Sequence, residues 1–238
     1  MTAGNVVPMV SVGAYLTFIQ ENFGELLTLL IEHVLITAQT VAIAVPIAVA
    51  LGIGITYNER AATAVLWLAG IAMTIPSLAA FGLLIPFLGI GSPPVVFTLV
   101  LYSQLPVIRN TYVGLTGIEE STIQAGRGLG MTRGQRLLRI QIPKALPIIL
   151  AGVRNAVVIV VGVAAVGAFV GAGGLGALIF QGIREANPVM TVVATIVVSA
   201  LALASDYGIA TIEQLLRLRN GEEINARLST QLCRRALP

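Results

Sequence analysis

Charged residues are scarce in this chain of 238 residues. Asp, Glu, Lys and Arg make up 11% of the sequence and hydrophobic residues 56%, whereas soluble domains carry about 25% charged residues. So few charges cannot cover a chain of this size with polar surface, which excludes an ordinary water-soluble fold. We therefore predict an integral membrane protein.

Several other features are also missing. Cys233 and His33 are the sole cysteine and histidine, so neither an intrachain disulfide nor a Cys/His metal site can form. No GxxxxGK[ST] phosphate loop occurs, and we expect no enzyme activity and no cofactor in this chain. No Lys or Arg precedes Arg60, so a cleaved signal peptide is not expected.

Five apolar stretches are long enough to cross about 30 Å of hydrocarbon as helices, which takes roughly 20 residues each. They are Val34 to Ile55, Ala61 to Leu88, Val95 to Tyr112, Ala145 to Phe169 and Met190 to Ala210. The second stretch is over-long and contains Pro76 and Pro86, so we expect it to tilt or kink. The predicted fold class is all-α, with five core transmembrane helices.

An amphipathic pattern precedes the first span. Apolar residues recur there at intervals of three and four: Tyr15, Phe18, Ile19, Phe23, Leu26, Leu27 and Leu30. Because Glu21, Glu25 and Glu32 interrupt the pattern, it favours an interfacial helix on the outer face over a sixth span. We expect Glu32 and His33 to be solvated at that interface and not to form a proton relay.

Basic residues predict the orientation, because Lys and Arg accumulate in cytoplasmic loops. With the N-terminus outside, thirteen of the fourteen basic residues fall on the inner side and only Arg184 falls outside. The inner set is Arg60, Arg109, Arg127, Arg133, Arg136, Arg139, Lys144, Arg154, Arg217, Arg219, Arg227, Arg234 and Arg235. We attribute the net charge of +3 to this topology and expect no nucleic-acid partner. The chain turns polar after Ala210, which predicts a cytoplasmic tail that frays.

The inner loop between the third and fourth spans, residues 119–143, is too polar to span a membrane but is clearly patterned. Glu119 to Thr122 suit the first turn of a helix, which Gly126, Gly128 and Gly130 then end. Thr132 is a plausible cap for a second helix, with Leu137, Leu138 and Ile140 on one side and Arg133, Arg136 and Arg139 outward. We expect Pro143 to end that helix.

This loop resembles the coupling loop of permease subunits of type I ABC importers, with its Glu-Ala-Ala start, a following glycine and an Ile-x-Leu-Pro ending. The Glu-Ala-Ala start aligns with Gln124, Ala125 and Gly126, and the glycine aligns with Gly130. The Ile-x-Leu-Pro ending aligns with Ile140, Ile142 and Pro143. Gln124 and Gly126 depart from the family pattern. A family Glu that makes a charged contact to the ATPase would be replaced here by a neutral hydrogen bond.

The resemblance narrows to osmoprotectant importers for glycine betaine, carnitine and choline. It rests on four further segments: Thr74 to Gly91, Leu105 to Leu115, Ala145 to Gly162 and Val170 to Phe180. It implies a permease domain at 26–212, an extracytoplasmic segment at 1–25 and a cytoplasmic tail at 213–238, in a bacterial plasma membrane.

The resemblance also implies partners. They are an ATPase dimer that binds ATP and Mg²⁺, an extracytoplasmic solute-binding protein, and a second permease, identical or homologous. Residues 119–143, with Glu120 among the contacts, would couple to the ATPase. Because only 5% of residues are aromatic, tight recognition of a quaternary ammonium group is expected in the binding protein.

Two groups of residues are candidates for a translocation path or gate. Pro76, Ser77 and Asn155 lie within apolar spans, where a proline frees backbone carbonyls, although kinks and interhelical hydrogen bonds explain them equally well. Gly171, Gly173 and Gly176 form a GxGxxG pattern on the outer side, outside the strand context of a dinucleotide site. They permit either tight packing or an outer gate.

Arg154 and Asp206 are candidates for an intramembrane ion pair. Each would cost about 2.5 to 3.5 kcal/mol if unpaired at mid-membrane. The alternative is that Arg154 extends to the inner headgroups while Asp206 faces water.

Two rival functions stay open at this point. The spans alone would permit a secondary transporter or channel, although the patterned loop and the lack of inverted halves disfavour it. The second rival function is that of an ABC permease for an amino acid or another small metabolite.

Overall fold

The computed structural model describes residues 11–220, and this part of the chain consists of helices joined by short connections. The helices are α1 (Val12–Glu21), α2 (Phe23–Ile55), α3 (Glu59–Thr74), α4 (Ser77–Leu88), α5 (Ser92–Thr116), α6 (Glu120–Gly128), α7 (Arg133–Arg136), α8 (Ile142–Gly167), α9 (Gly176–Arg184) and α10 (Pro188–Arg219). A π-helical turn, Leu137–Gln141, joins α7 to α8, and a 3₁₀ turn, Ala168–Val170, follows α8. The predicted all-α class is confirmed.

Helices α5 and α8 form the centre of the bundle. They pack on each other along their lengths, α2 packs on α5, and α10 packs on α8. Fully buried side chains fill the space between them, among them Phe81, Leu99 and Val160. The core is therefore a helix-on-helix core, with no layer of another kind within residues 11–220.

Glycines set the close approach of these helices. A Cβ atom added to Gly152 of α8 would lie 2.6 Å from Asn110 Cβ and 2.7 Å from the Pro106 carbonyl oxygen of α5. Gly52 of α2 has a similar relation to Thr111. Small residues let helix backbones come close, which replaces the hydrophobic driving force that membranes do not supply between helices.

The surface of the bundle is apolar. Large side chains such as Trp67, Leu83, Phe87 and Leu203 are each at least 66% exposed. Helices α2 and α10, and the continuous helical segment Arg133–Val170, are long and apolar enough to cross a membrane, and the bent pair α3–α4 makes a possible fourth span. Such a surface fits a lipid environment.

Helix α5 is not among those candidates, although its 25 residues exceed the roughly 20 needed to span a bilayer. Its apolar run is interrupted by polar residues, including Gln104, Arg109 and Asn110. Neighbouring helices surround much of α5 and bury Gln104 inside the bundle, away from lipid, whereas Arg109 is exposed.

The over-long second stretch is two helices and not one tilted span. Helices α3 and α4 meet at 95°, and Pro76 stands at the start of α4. The residue before a proline avoids the α-helical region, and Ile75 is extended at φ −69° and ψ 124°. Pro86 lies inside α4 without breaking it.

The predicted interfacial helix is shorter than expected. Helix α1 ends at Glu21, and Phe23 already begins α2, which runs on without interruption to Ile55. The apolar residues of this region form a common cluster, in which Leu26 of α2 is joined by Tyr15 and Phe18 of α1 and by Met190 of α10. The periodic pattern is therefore divided between two helices that both pack against α10.

Helix α10 continues past the predicted end of its span to Arg219. Glu213 is only 8% exposed there, so this polar stretch is packed and does not fray. The predicted tail from 221 to 238 lies outside the described residues.

The helix crossing at Gly152 yields a stability prediction. Gly152→Val forces side-chain atoms into the α5 backbone and should lower the free energy of unfolding by about 1 to 3 kcal/mol, as overpacking does. Gly162→Val on the same helix is the matched control, since a Cβ there has open space. Thermal unfolding of the purified protein in detergent measures both. Equal melting temperatures for the two variants would contradict the packing.

Candidate functional site

The predicted coupling loop, residues 119–143 and called the coupling loop below, begins with a helix that closes in a Schellman motif. Gly130 takes φ +73°, its N–H donates to Arg127 O at 2.9 Å, and the Met131 N–H donates to Gly126 O at 3.1 Å. This pattern satisfies the last carbonyls of α6 and requires a residue that tolerates the left-handed region. Gly130 is the residue that turns the loop back on itself.

The second half of the loop starts with a capping box. The Gln135 N–H donates to Thr132 Oγ1 at 3.3 Å, and the Thr132 N–H donates to Gln135 Oε1 at 2.8 Å. The two residues satisfy each other's free amides. The predicted cap at Thr132 is present, and it fixes the direction in which α7 leaves the turn.

Gly126 explains one departure from the family pattern. It is buried, and a Cβ atom there would lie 3.0 Å from Ile140 Cδ1 and 3.2 Å from Arg136 Cδ. Helix α6 thus lies so close to the second helical segment that an alanine would push on these side chains. The missing methyl group lets the two arms of the loop pack directly.

Pro143 does not end the second helix, so that prediction is wrong. The Ile142 N–H donates to Leu137 O in a wide π turn, and α8 then begins with Pro143 in its first turn. Pro147 has no N–H and so cannot donate to the Pro143 carbonyl one turn earlier. The side-chain amide of Asn220 donates to that oxygen through Nδ2 at 3.3 Å. The loop therefore continues directly into α8.

The underside of the coupling loop is anchored to the bundle. Leu137 and Ile142 pack on a buried cluster formed by Leu115 of α5 and by Ala145 and Ile149 of α8. Because this contact is apolar and continuous, the loop sits on the ends of α5 and α8 as one piece.

The upper side of the loop is exposed and partly apolar. Leu129 is 83% exposed and Leu138 is 67% exposed, and Gln124 and Ala125 are also exposed. Glu120 and Arg127 form an ion pair at 3.5 Å, and a pair this exposed contributes little to stability. Two large apolar side chains without cover on a polar loop suggest a surface that meets another protein.

A second feature is the polar groove, a cavity of about 550 Å³ on the side of the bundle. Its lining comes from four helices: Met73 of α3, Leu105, Pro106, Arg109 and Asn110 of α5, Asn155, Val158 and Ile159 of α8, and Asp206 of α10. Asn155 is the only predicted path residue among them. Pro76 and Ser77 lie at the α3–α4 break instead, where the Tyr102 hydroxyl donates to the Ile75 carbonyl.

Arg154 lies behind the groove within a group of charges. Its Nε is 3.5 Å from Asp206 Oδ1 and its Nη1 is 3.9 Å from Glu213 Oε2, while Arg217 Nη2 is 3.1 Å from Glu213 Oε1. The structure thus brings Arg154 and Asp206 together, although Arg154 Nε makes no hydrogen bond. Sequence reasoning did not find Glu213, because it treated this region as a tail.

The glycine segment 171–176 does not line the groove and lies against α2 at Glu32 and His33. The Gly174 N–H donates to Glu32 Oε2 at 2.9 Å, and a Cβ on Gly173 would lie 2.7 Å from the same oxygen. Gly171, Gly173 and Gly174 all have positive φ. Gly176 packs so tightly on the Ala165 carbonyl that no Cβ fits.

His33 is fully buried. The prediction that it is solvated at the interface is therefore wrong. Its Nε2 is 3.0 Å from Val161 O, so it ties α2 to α8 beside the glycine segment. The sequence places Glu32 and His33 142 and 128 residues from these partners, and no local pattern could have linked them. The candidate path residues therefore fall in three separate places.

Comparisons with known proteins agree with the loop and the fold. The family model described as binding-protein-dependent transport system inner membrane component matches residues 44–218. The glycine betaine/carnitine/choline transport system permease protein OpuCB of Bacillus subtilis is 38% identical over 84% of this chain and 92% of its own length. The osmoprotectant import permease protein OsmW of Salmonella typhimurium is 41% identical over 80% of this chain and 91% of its own length.

Among solved structures, an inward-facing conformation of the MetNI methionine ABC transporter superposes with a TM-score of 0.67. The similarity covers 79% of this chain and 92% of that chain at 23% sequence identity. At this identity the match concerns the fold, and it agrees with the fold that the loop pattern implies.

The contact between Glu32 and the glycine segment can be tested without any assay of function. Glu32→Ala removes the acceptor of the Gly174 N–H, and we expect hydrogen exchange of that amide to rise about fivefold, which corresponds to roughly 1 kcal/mol for a partly solvated bond. Glu25→Ala, an exposed acidic residue on the same helix, should leave the rate unchanged. An unchanged Gly174 rate in Glu32→Ala would show that the contact does not hold the segment.

Proposed function

Because the chain belongs to the family of binding-protein-dependent transport system inner membrane components and is a permease subunit, we propose that it imports compatible solutes such as glycine betaine, carnitine or choline. The observation that carries this proposal is the similarity to the permeases OpuCB and OsmW over most of both chains. The ATPase of such a system is a separate subunit, so the chain itself acts without covalent chemistry.

The coupling loop is the proposed contact with that ATPase. Its fold is fixed internally by the Schellman turn at Gly130 and the capping box at Thr132. The upper side of the loop exposes Leu129 and Leu138, and burying their apolar surface against a partner would stabilise the complex. Gln124 is exposed on the same loop, and its contact would be a neutral hydrogen bond in place of the family's charged one.

Movement of the loop would reach the groove through α8. The loop continues into α8 across Pro143, and α8 contributes Asn155, Val158 and Ile159 to the groove. ATP binding and hydrolysis on the partner would shift the loop and bias the bundle between outward-open and inward-open states. A solute delivered by an external binding protein would pass between two permease subunits, identical or homologous, along the open side of the groove.

We also propose the predicted topology, with five spans formed by α2, the α3–α4 pair, α5, α8 and α10, and with α1 at the outer interface. Arg109 and Arg154 lie well inside helices and do not count as loop residues. The remaining inner set still outnumbers Arg184, so the N-terminus is outside and the C-terminus inside. The proposed permease domain is 26–212, in the plasma membrane of a bacterium.

The Schellman turn provides a test of coupling. Gly130→Val puts a β-branched residue at φ +73°, which is strongly disfavoured, and should lower solute-stimulated ATP hydrolysis of the assembled transporter by about tenfold. Gly128→Val, two residues earlier and with open space for a Cβ, is the control. Full stimulation in Gly130→Val would mean that this loop is not the coupling element.

The cargo is tested on the partner solute-binding protein. We expect calorimetric titration to show binding of at least one of glycine betaine, carnitine and choline, because the relatives are named for these solutes. Proline is included as a compatible solute without a quaternary ammonium group. Failure of all four solutes to bind would overturn the cargo assignment and leave the ABC permease assignment standing.

A further inference from the structure

One cation lines the polar groove. Arg109 lines the cavity from α5, is exposed, and makes no ion pair within residues 11–220. It lies seven residues before the end of α5, about 10 Å along a helix that rises 1.5 Å per residue. A charge at such a depth is rare in membrane helices without a partner or a function.

The same cavity is also lined by an anion. Asp206 lines it from α10, and its side chain is 35% exposed. Its contact with Arg154 lacks a hydrogen bond, and Arg154 is shared with Glu213. Glu213 is itself paired with Arg217, so Asp206 is paired with Arg154 through a long contact, and its carboxylate stays accessible at the groove.

The remaining lining is neutral. Met73, Val158 and Ile159 supply apolar surface, while Asn110 and Asn155 supply amides. The volume of about 550 Å³ is in the range of small-molecule sites, about 300 to 1,000 Å³. No Trp, Tyr or Phe lines this cavity, so an aromatic cage for a quaternary ammonium group is absent here.

We propose that the groove is a low-affinity subsite for a zwitterionic solute. The Arg109 guanidinium binds the solute carboxylate, Asp206 faces the ammonium group, and the apolar residues contact its methyl groups. This subsite rests on the proposed function, because it is the place where the imported solute would bind the permease. Charges replace the missing cage, and because both charges are accessible to water, the subsite binds weakly and releases its cargo easily.

The subsite distinguishes solutes by their carboxylate. Glycine betaine carries a carboxylate and an ammonium group, whereas choline carries only the ammonium group. Arg109 therefore contributes to binding of glycine betaine and not of choline. Asp206 contributes to both.

Saturation-transfer NMR on the complete permease–ATPase complex in lipid nanodiscs measures this weak binding directly and needs no binding protein. In Arg109→Gln we expect the transfer to the methyl groups of glycine betaine to fall about fivefold, because a charge-assisted hydrogen bond is lost. The transfer to choline should change less than twofold. Arg109→Lys should retain part of the glycine betaine signal, since the charge remains.

Controls separate the subsite from other effects. Arg184→Gln removes an exposed arginine of α9 outside the groove lining and should leave both signals unchanged. Asp206→Asn should lower both signals, and an unaltered melting temperature shows that the charge group behind the groove still packs. An equal change of both solutes in Arg109→Gln, or none, would overturn the subsite. The cargo assignment would then still depend on the separate titration of the binding protein.

Discussion

The backbone carbonyls that Pro143 and Pro147 leave without their helical partners determine how the coupling loop joins the bundle. A proline inside a helix removes one hydrogen bond and clashes with the preceding turn, so it normally kinks or ends the helix. Here a π turn precedes Pro143, and Asn220 donates to the carbonyl that Pro147 cannot reach. The segment is helical from Arg133 to Gly167.

That continuity connects three parts of the molecule. The exposed leucines lie on the loop, Leu137 and Ile142 seat the loop on α5 and α8, and the groove is lined further along α8. Close glycine contacts such as Gly152 against Asn110 make α5 and α8 a tightly fitted pair, and tightly packed interfaces switch between arrangements more readily than they deform. Asn110 itself lines the groove, so the helix crossing and the proposed solute subsite share a residue.

Local signals in the sequence predicted the local features. Gly130, the Thr132 cap and a kink at Pro76 follow from glycine φ, hydroxyl capping and proline sterics, and each depends on residues only a few positions apart. The full 95° break between α3 and α4 was not predicted. Contacts between distant segments were not predictable in this way. The Glu32 bond to Gly174, the burial of His33 and Glu213, and the convergence of Arg109 with Asp206 depend on how the helices pack. The same holds for Pro143, whose effect was reversed by a π turn that a hydrophobic pattern does not reveal.

The exposed side of the coupling loop, with Leu129 and Leu138, is the proposed surface that meets the ATPase. Cysteine cross-linking tests it most directly, in a Cys233→Ser background that leaves the chain without other thiols. Leu138→Cys, at a residue 67% exposed on the loop, should cross-link to a partner ATPase carrying single cysteines on its permease-facing surface, whereas Leu203→Cys, at a residue 70% exposed on α10, should not. Cross-linking that changes when ATP is added would agree with a loop that moves during the cycle. Equal cross-linking at the two positions, or none at Leu138→Cys, would contradict the account.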